Sequence, residues 1–163
     1  MRRAVYAGMY DPLTNGHLWM IDQGSQLFDE LIVGVGINPA KTPTFTIGER
    51  VEILDHVCAS YQNVRVLPFE NQYLVNFAES VDAGFILRGI RSAPDYEYER
   101  VWRYLNGDFH SDIQTVFLLP PRELVEVSSS MIKGLVGPQG WEEVLPKFVP
   151  GIVCQKMLKR FGR

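Results

Sequence analysis

The sequence predicts an α/β fold, with a doubly wound sheet of five parallel strands and helices on both faces. The first observation behind this is a series of short β-branched apolar runs: Ala4 to Ala7, Glu30 to Ile37, Val64 to Leu67, Phe85 to Leu87 and Thr115 to Leu119. The second is what lies between them, stretches with helical spacing such as Leu18, Ile21, Leu27 and then Val51, Ile53, Leu54, Val57, Cys58. Strands that are apolar on both faces and alternate with helices imply a parallel sheet covered on two sides, a Rossmann-like arrangement.

Local chemistry places several boundaries. Thr46-Ile47-Gly48-Glu49 reads as a capping box, so a helix should begin there. Pro120-Pro121 cannot donate ladder hydrogen bonds and should stop the fifth strand at Leu119. Ser128 is a helix N-cap ahead of Met131-Ile132 and Leu135-Val136, with Gly137-Pro138 as the stop signal. After Pro150, Ile152-Val153-Cys154 and Met157-Leu158, with Lys156, Lys159 and Arg160, read as an amphipathic terminal helix. No internal repeat or low-complexity tract interrupts the pattern.

Bulk composition narrows the function classes. A chain of 163 residues is the size of one domain, and a single unit over 1–163 is expected. The net charge of -3 argues against a large nucleic-acid surface, so any phosphate recognised belongs to a small molecule. Cys58 and Cys154 lack metal-ligand spacing and read as buried free thiols of a reducing compartment. No apolar run approaches the roughly 18 residues of a membrane span, and Arg2-Arg3 leads into a strand rather than a signal-peptide core. A cytoplasmic protein with no membrane partner is expected.

In a doubly wound sheet, ligands bind where loops leave the carboxyl ends of the strands. These loops read GMYDPLTNGH, NPAKTP, RGIRSAPDYEYE and PPRELVEVSSS. His17 stands at the start of the first helix, where free amides and the helix dipole favour an anion; a plain turn role is the alternative. Gly16 before it would leave room for a ligand to approach the backbone. Lys41 is bracketed by Pro39 and Pro43, either solvated or held toward a ligand. Arg88 and Arg91 flank Gly89-Ile90 with no carboxylate between them, which suits phosphates better than a surface ion pair. Asp95 and Glu97 to Glu99 follow, and one of them could orient an arginine. Ser128-Ser129-Ser130 offers either a cap with two exposed serines or a set of hydroxyls and amides for a polyphosphate.

Together these places resemble the bacterial phosphopantetheine adenylyltransferases of the nucleotidyltransferase superfamily. The resemblance runs over nearly the whole chain, through YAGMYDPLTNGH, INPAKTPTFTIGER, NFAES, ILRGIRSAPDYEYE, VFLLPPRE and VSSSMIKGL. TNGH marks the superfamily; RGIR with DYEYE, then SSS with Lys133, is more specific. The resemblance implies transfer of AMP from ATP to 4'-phosphopantetheine, giving dephospho-coenzyme A and pyrophosphate, with Mg2+ accompanying ATP. It implies a homohexamer and coenzyme A as a feedback inhibitor. By motif, the catalytic set would be His17, Lys41 and Arg91. ATP would meet Met9, Tyr10, His17, Gly89, Ile90, Arg91, Glu99, Leu124, Val125, Glu126, Val127, Ser128, Ser129 and Ser130. The acceptor would meet Met9, Lys41, Leu74 and Arg88.

The chain also departs from the family pattern. Met9-Tyr10 stands where Thr-Phe is usual, removing a hydroxyl near both phosphates. Leu124 to Val127 replaces a loop that usually carries aromatic and small polar residues, and Glu126 would repel phosphate if it faced inward. Gly134 stands where glutamate is common. On residues alone, a relative with another phosphorylated acceptor and a catalytically idle nucleotide-binding homologue remain as alternatives.

Overall fold

A computed structural model describes residues 1–37, 42–110 and 112–162. Five parallel strands, β1 (Arg3–Gly8), β2 (Glu30–Gly36), β3 (Val64–Phe69), β4 (Phe85–Gly89) and β5 (Gln114–Leu118), lie in the order β3-β2-β1-β4-β5. The expected strands are all present, each within two residues of its expected ends. Between and after them run α1 (Asn15–Leu27), α2 (Ile47–Cys58), α3 (Leu74–Ser80), α4 (Ala93–Phe109), α5 (Ser129–Leu135), α6 (Trp141–Val144) and α7 (Gly151–Phe161).

Side-chain alternation along β1 divides the core in two. Ala4 and Tyr6 face a layer built with Met20 and Ile21 of α1, Ile53 and Leu54 of α2, and Val153 and Met157 of α7. Val5 and Ala7 face the other layer, with Val75, Phe77 and Ala78 of α3. In β1 and β2, Ala4, Val5, Leu31, Ile32 and Val33 have no exposed surface, as sheet residues covered on both faces must. The chain runs outward in one direction from β1 through β2 to β3 and in the other through β4 to β5, so the loops after β1 and β4 part at the sheet's centre.

The expected caps form. Thr46 Oγ1 accepts from the Glu49 amide at 3.2 Å, and Glu49 Oε2 accepts from the Thr46 amide at 2.8 Å. Ser128 Oγ accepts from the Met131 amide at 3.1 Å, and α5 ends at Leu135, before Gly137-Pro138. The terminal helix starts directly after Pro150 and buries Val153, Cys154 and Met157. No helix among the described residues is long and apolar enough to cross a membrane.

Thr46→Ala leaves the amide at Glu49 without its acceptor, and urea unfolding should read a loss of about 1 kcal/mol. A loss of only a few tenths would mean that tertiary packing alone starts α2.

Candidate functional site

The loops leaving β1, β4 and β5 enclose a cavity of about 320 Å³ at the carboxyl end of the sheet. His17, Arg88, Gly89, Arg91, Glu99, Leu124, Val127, Ser128, Ser129 and Ser130 all line it, so most of the expected ATP-site residues converge on one space. They come from three stretches widely separated in sequence, His17, 88–99 and 124–130, which the order of the strands brings together.

The start of α1 sets His17. Thr14 is its N-cap, and its hydroxyl accepts from the His17 amide at 3.4 Å. In return the His17 ring caps the backbone: Nδ1 accepts from the Thr14 amide at 3.1 Å and lies 2.9 Å from the Thr14 hydroxyl. A ring nitrogen that accepts an amide proton carries none of its own, so the neutral ring holds its proton on Nε2. Burial, reinforced by the Arg91 charge, pushes the His17 pKa from 6.5 down to about 4, and the ring is neutral at physiological pH. His17 is therefore a fixed Nε2–H donor. The edge of the buried Tyr10 ring, 5.2 Å away between centroids, backs it from behind.

Each arginine is oriented by a carboxylate of α4, as the acidic residues there suggested. Arg88 donates from Nε to Glu99 Oε2 at 2.8 Å, from Nη2 to Glu99 Oε1, and from Nη1 to the Ala7 carbonyl at 2.9 Å. Burial opposes the Arg88 charge, but the hydrogen bonds and charge of Glu99 outweigh it and raise its pKa further. Arg91 donates to Asp95 Oδ2 at 3.0 Å and is exposed at the rim. Both guanidinium groups are held in direction, which lowers the entropy lost when they meet an anion.

Other expected residues sit elsewhere. Tyr10 is buried, its hydroxyl donating to the Tyr6 carbonyl at 2.7 Å, so its side chain does not line the cavity. Ile90 is buried too, and its amide is used by the Leu118 carbonyl. Met9 is half-buried, with its carbonyl accepting from Arg50 at 2.7 Å. Val125 and Glu126 line a shallow recess outside the main cavity, with Arg91, Ser92, Asp95 and Ser128. Glu126 thus does not line the space beside His17. Lys41 lies outside the described residues.

The serines divide their tasks. Ser128 caps α5, the Ser129 hydroxyl donates to the Pro12 carbonyl at 2.8 Å, and Ser130 is exposed at the cavity. Gly16 is needed for chain packing as much as for a ligand, because a Cβ there would sit 3.3 Å from the Val127 carbonyl. Sequence reasoning missed the Thr14 contact with the ring, although Thr-x-x-His has capping-box spacing; it named Asp95 and Glu99 among the acidic residues that could orient an arginine, but not which arginine each one holds.

A second cavity of about 250 Å³ adjoins the first and shares Arg88 and Glu99 with it. Leu74, Ile86, Tyr98 and Trp102 give it an apolar wall, while Arg103, Asn106 and Thr115 add polar groups beside the shared Arg88 and Glu99. Among the described residues no three His, Cys, Asp or Glu side chains come together as a metal site. The cavity's carboxylates, Asp95 and Glu99, are committed to arginines.

A doubly wound sheet with a neutral histidine at a helix start, two oriented arginines and a serine-bearing helix defines a nucleotide-handling α/β protein. Residues 5–135 match the Cytidylyltransferase-like family. The fold is shared with a solved Plasmodium falciparum nicotinic acid mononucleotide adenylyltransferase complexed with NaAD, at a TM-score of 0.72 and 12% identity, over 97% of this chain and 95% of that one. The chain is 59% identical to the phosphopantetheine adenylyltransferase of Chromobacterium violaceum over 99% of both chains. It is 39% identical to that of Caldanaerobacter subterraneus over 100% of this chain and 99% of the relative. It belongs to the bacterial phosphopantetheine adenylyltransferases.

The shift at His17 has a sign that can be checked. Its folded pKa is depressed, so its contribution to stability is complete above about pH 6.5 and is lost as pH falls toward 4. Between those values, urea unfolding of the wild type should fall more steeply with acid than that of His17→Ala, by about one proton's worth of slope. Equal slopes would mean that the ring titrates in the fold as it does in the unfolded chain.

Proposed function

We infer that this chain transfers AMP from ATP to 4'-phosphopantetheine, giving dephospho-coenzyme A and pyrophosphate. The observation that carries the residue assignment is the pair of adjoining cavities with Arg88 in their shared wall. One is lined by phosphate-binding groups; the other is apolar beside Leu74 and suits the acceptor's arm. The acceptor phosphate then lies at Arg88, facing the α-phosphorus of ATP.

The nucleophile is a phosphate monoester, largely ionised at neutral pH because its second pKa is about 6. It needs no general base, which fits a neutral histidine that carries a proton where an acceptor of protons would carry none. An acceptor oxygen attacks the α-phosphorus in line, forming the new P–O bond as the bond to pyrophosphate breaks. His17 Nε2–H donates to the α-phosphoryl oxygens as charge builds there, and Arg91 and Ser130 hold the departing β and γ phosphates. Lys41 is assigned to the acceptor phosphate and the same centre by its motif. Gly89, Leu124 and Val127 frame the nucleotide, with Glu99 setting the direction of Arg88.

Bound with ATP, Mg2+ would supply charge neutralisation at the phosphates, beside Arg91 and Ser130. Coenzyme A carries the acceptor's arm and would compete for the cavity beside Leu74. A homohexamer is supported by α4, where Tyr98, Val101, Leu105 and Phe109 are all exposed and, spaced three and four apart, form an apolar stripe that a second copy can cover. The exposed stripe of α4 therefore tests assembly: Leu105→Glu should reduce the sedimenting mass, and an unchanged mass would place the contact elsewhere.

Pyrophosphate release from ATP with 4'-phosphopantetheine tests the activity, against a panel of other phosphorylated acceptors. Turnover only with another acceptor overturns the assignment. His17→Ala should lower kcat by about 10²–10³-fold while ATP affinity changes far less; equal losses would reduce His17 to a ground-state anchor. Met9→Thr should raise kcat/KM for the acceptor by restoring a hydroxyl, and an unchanged value would show that the Met9 backbone suffices.

A further inference from the structure

Thr44 and Phe45 lead into α2, and every backbone polar group of this dipeptide is taken by a charged side chain. Asp11 accepts from both amides, Oδ2 from Thr44 and Oδ1 from Phe45, each at 2.8 Å. The Thr44 carbonyl accepts from Arg160, and the Phe45 carbonyl accepts from Arg50 Nε at 3.2 Å. Arg50, 2% exposed, also donates from Nη1 to the Met9 carbonyl at 2.7 Å and to the Gly36 carbonyl at 2.9 Å. Backbone that could pair with water or a neighbouring strand is here gripped by charged side chains, of which Asp11 and Arg50 are buried.

Asp11 carries one contact more. Lys133 of α5 donates to its Oδ2 at 2.6 Å. Lys133 lies one turn after Ser129, whose hydroxyl donates to the Pro12 carbonyl at 2.8 Å. Residues four apart share a helix face, so α5 is held to the loop after β1 by two adjacent bonds. The Asp11 side chain is 1% exposed, and a carboxylate buried that deeply is tolerated only because two amides and an ammonium surround it. One carboxylate therefore joins the loop that carries His17, the entry to α2, and the helix that carries Ser128 to Ser130.

We propose that Asp11 is a positioning residue for adenylyl transfer and that Lys133 acts through it. Neither side chain lines the two cavities; the pair sets α5 and the entry to α2 against the loop that leads into His17, so that His17 and the serines at the start of α5 meet one α-phosphorus. This rests on the adenylyltransferase reading above. Small misplacements of such groups cost rate more than they cost ground-state binding, which is spread over many contacts.

Lys133→Met, Lys133→Arg, Asp11→Asn and the double variant Lys133→Met/Asp11→Asn test this. In Lys133→Met, kcat should fall about tenfold while both KM values stay within about threefold. Lys133→Arg, which can still pair with Asp11, should recover most of the loss. The double variant should be no slower than Asp11→Asn, because the two residues act in one interaction. An unchanged kcat in Lys133→Met overturns the proposal, as does failure of arginine to rescue, or additive losses, which would put Lys133 on a phosphate instead. Hydrogen exchange reads the same knot without turnover: the Thr44 and Phe45 amides should exchange faster in Lys133→Met than in the wild type, and equal rates overturn the link. If the wild type releases no pyrophosphate, the activity assignment fails while exchange still decides the knot. Should Asp11→Asn not fold, the two Lys133 variants with exchange carry the decision.

Discussion

The crevice between β1 and β4 exists because the chain changes direction across its own sheet there. Strands to one side of β1 are added as β2 and β3, those to the other as β4 and β5. Right-handed crossovers send the connections on the two sides to opposite faces, so the carboxyl ends of β1 and β4 are left with no loop lying across them. Ladder hydrogen bonds between β1 and β4, at Ala4 to Tyr6 against Phe85 to Leu87, keep the ends at a fixed separation. Arg88 crosses the divide by donating to the Ala7 carbonyl, which ties the acceptor-facing cation to the strand that leads to His17.

Charge in this crevice is arranged rather than accumulated. His17 is kept neutral by burial and by Arg91, and gains its usefulness from the Thr14 amide that forces its proton to the other nitrogen. Glu99 offsets the charge of Arg88, and Asp95 that of Arg91. The carboxylates stop two nearby cations from repelling one another and hold each fork in one direction. Two anionic reactants can then be received by donors whose orientation costs little to maintain. Nothing in the arrangement removes a proton from a nucleophile, which suits a nucleophile that has already lost it.

The departures from the family pattern fall where this framework absorbs them. Met9 lacks a hydroxyl, but its carbonyl is still bound by Arg50, and the loop keeps its course into Asp11 and Thr14. Glu126 lies in a recess beside Arg91 rather than in the main cavity. Gly134 sits on α5, one residue beyond the lysine that pins the helix, where a Cβ would meet nothing within 4 Å. A helix weakened by glycine is compensated by two side-chain bonds to the loop after β1.

The five strands, the caps at Thr46 and Ser128, the stops at Pro120 and Gly137, and the motif set that marks the family are all legible in the order of the residues. These depend on residues within a turn or two of one another, through side-chain period, cap hydrogen bonds and the missing amide of proline. The tertiary structure alone decided which groups share the cavity and which lend only backbone. Tyr10 and Ile90 are in a binding motif yet turn into the core, because apolar burial outweighs exposure there. Ser129 spends its hydroxyl on Pro12, 117 residues away, and Lys133 finds Asp11 at a separation of 122. No local pattern encodes such pairs: a buried carboxylate must take whatever donors the packed elements bring to it, and only the assembled sheet and its helices bring these.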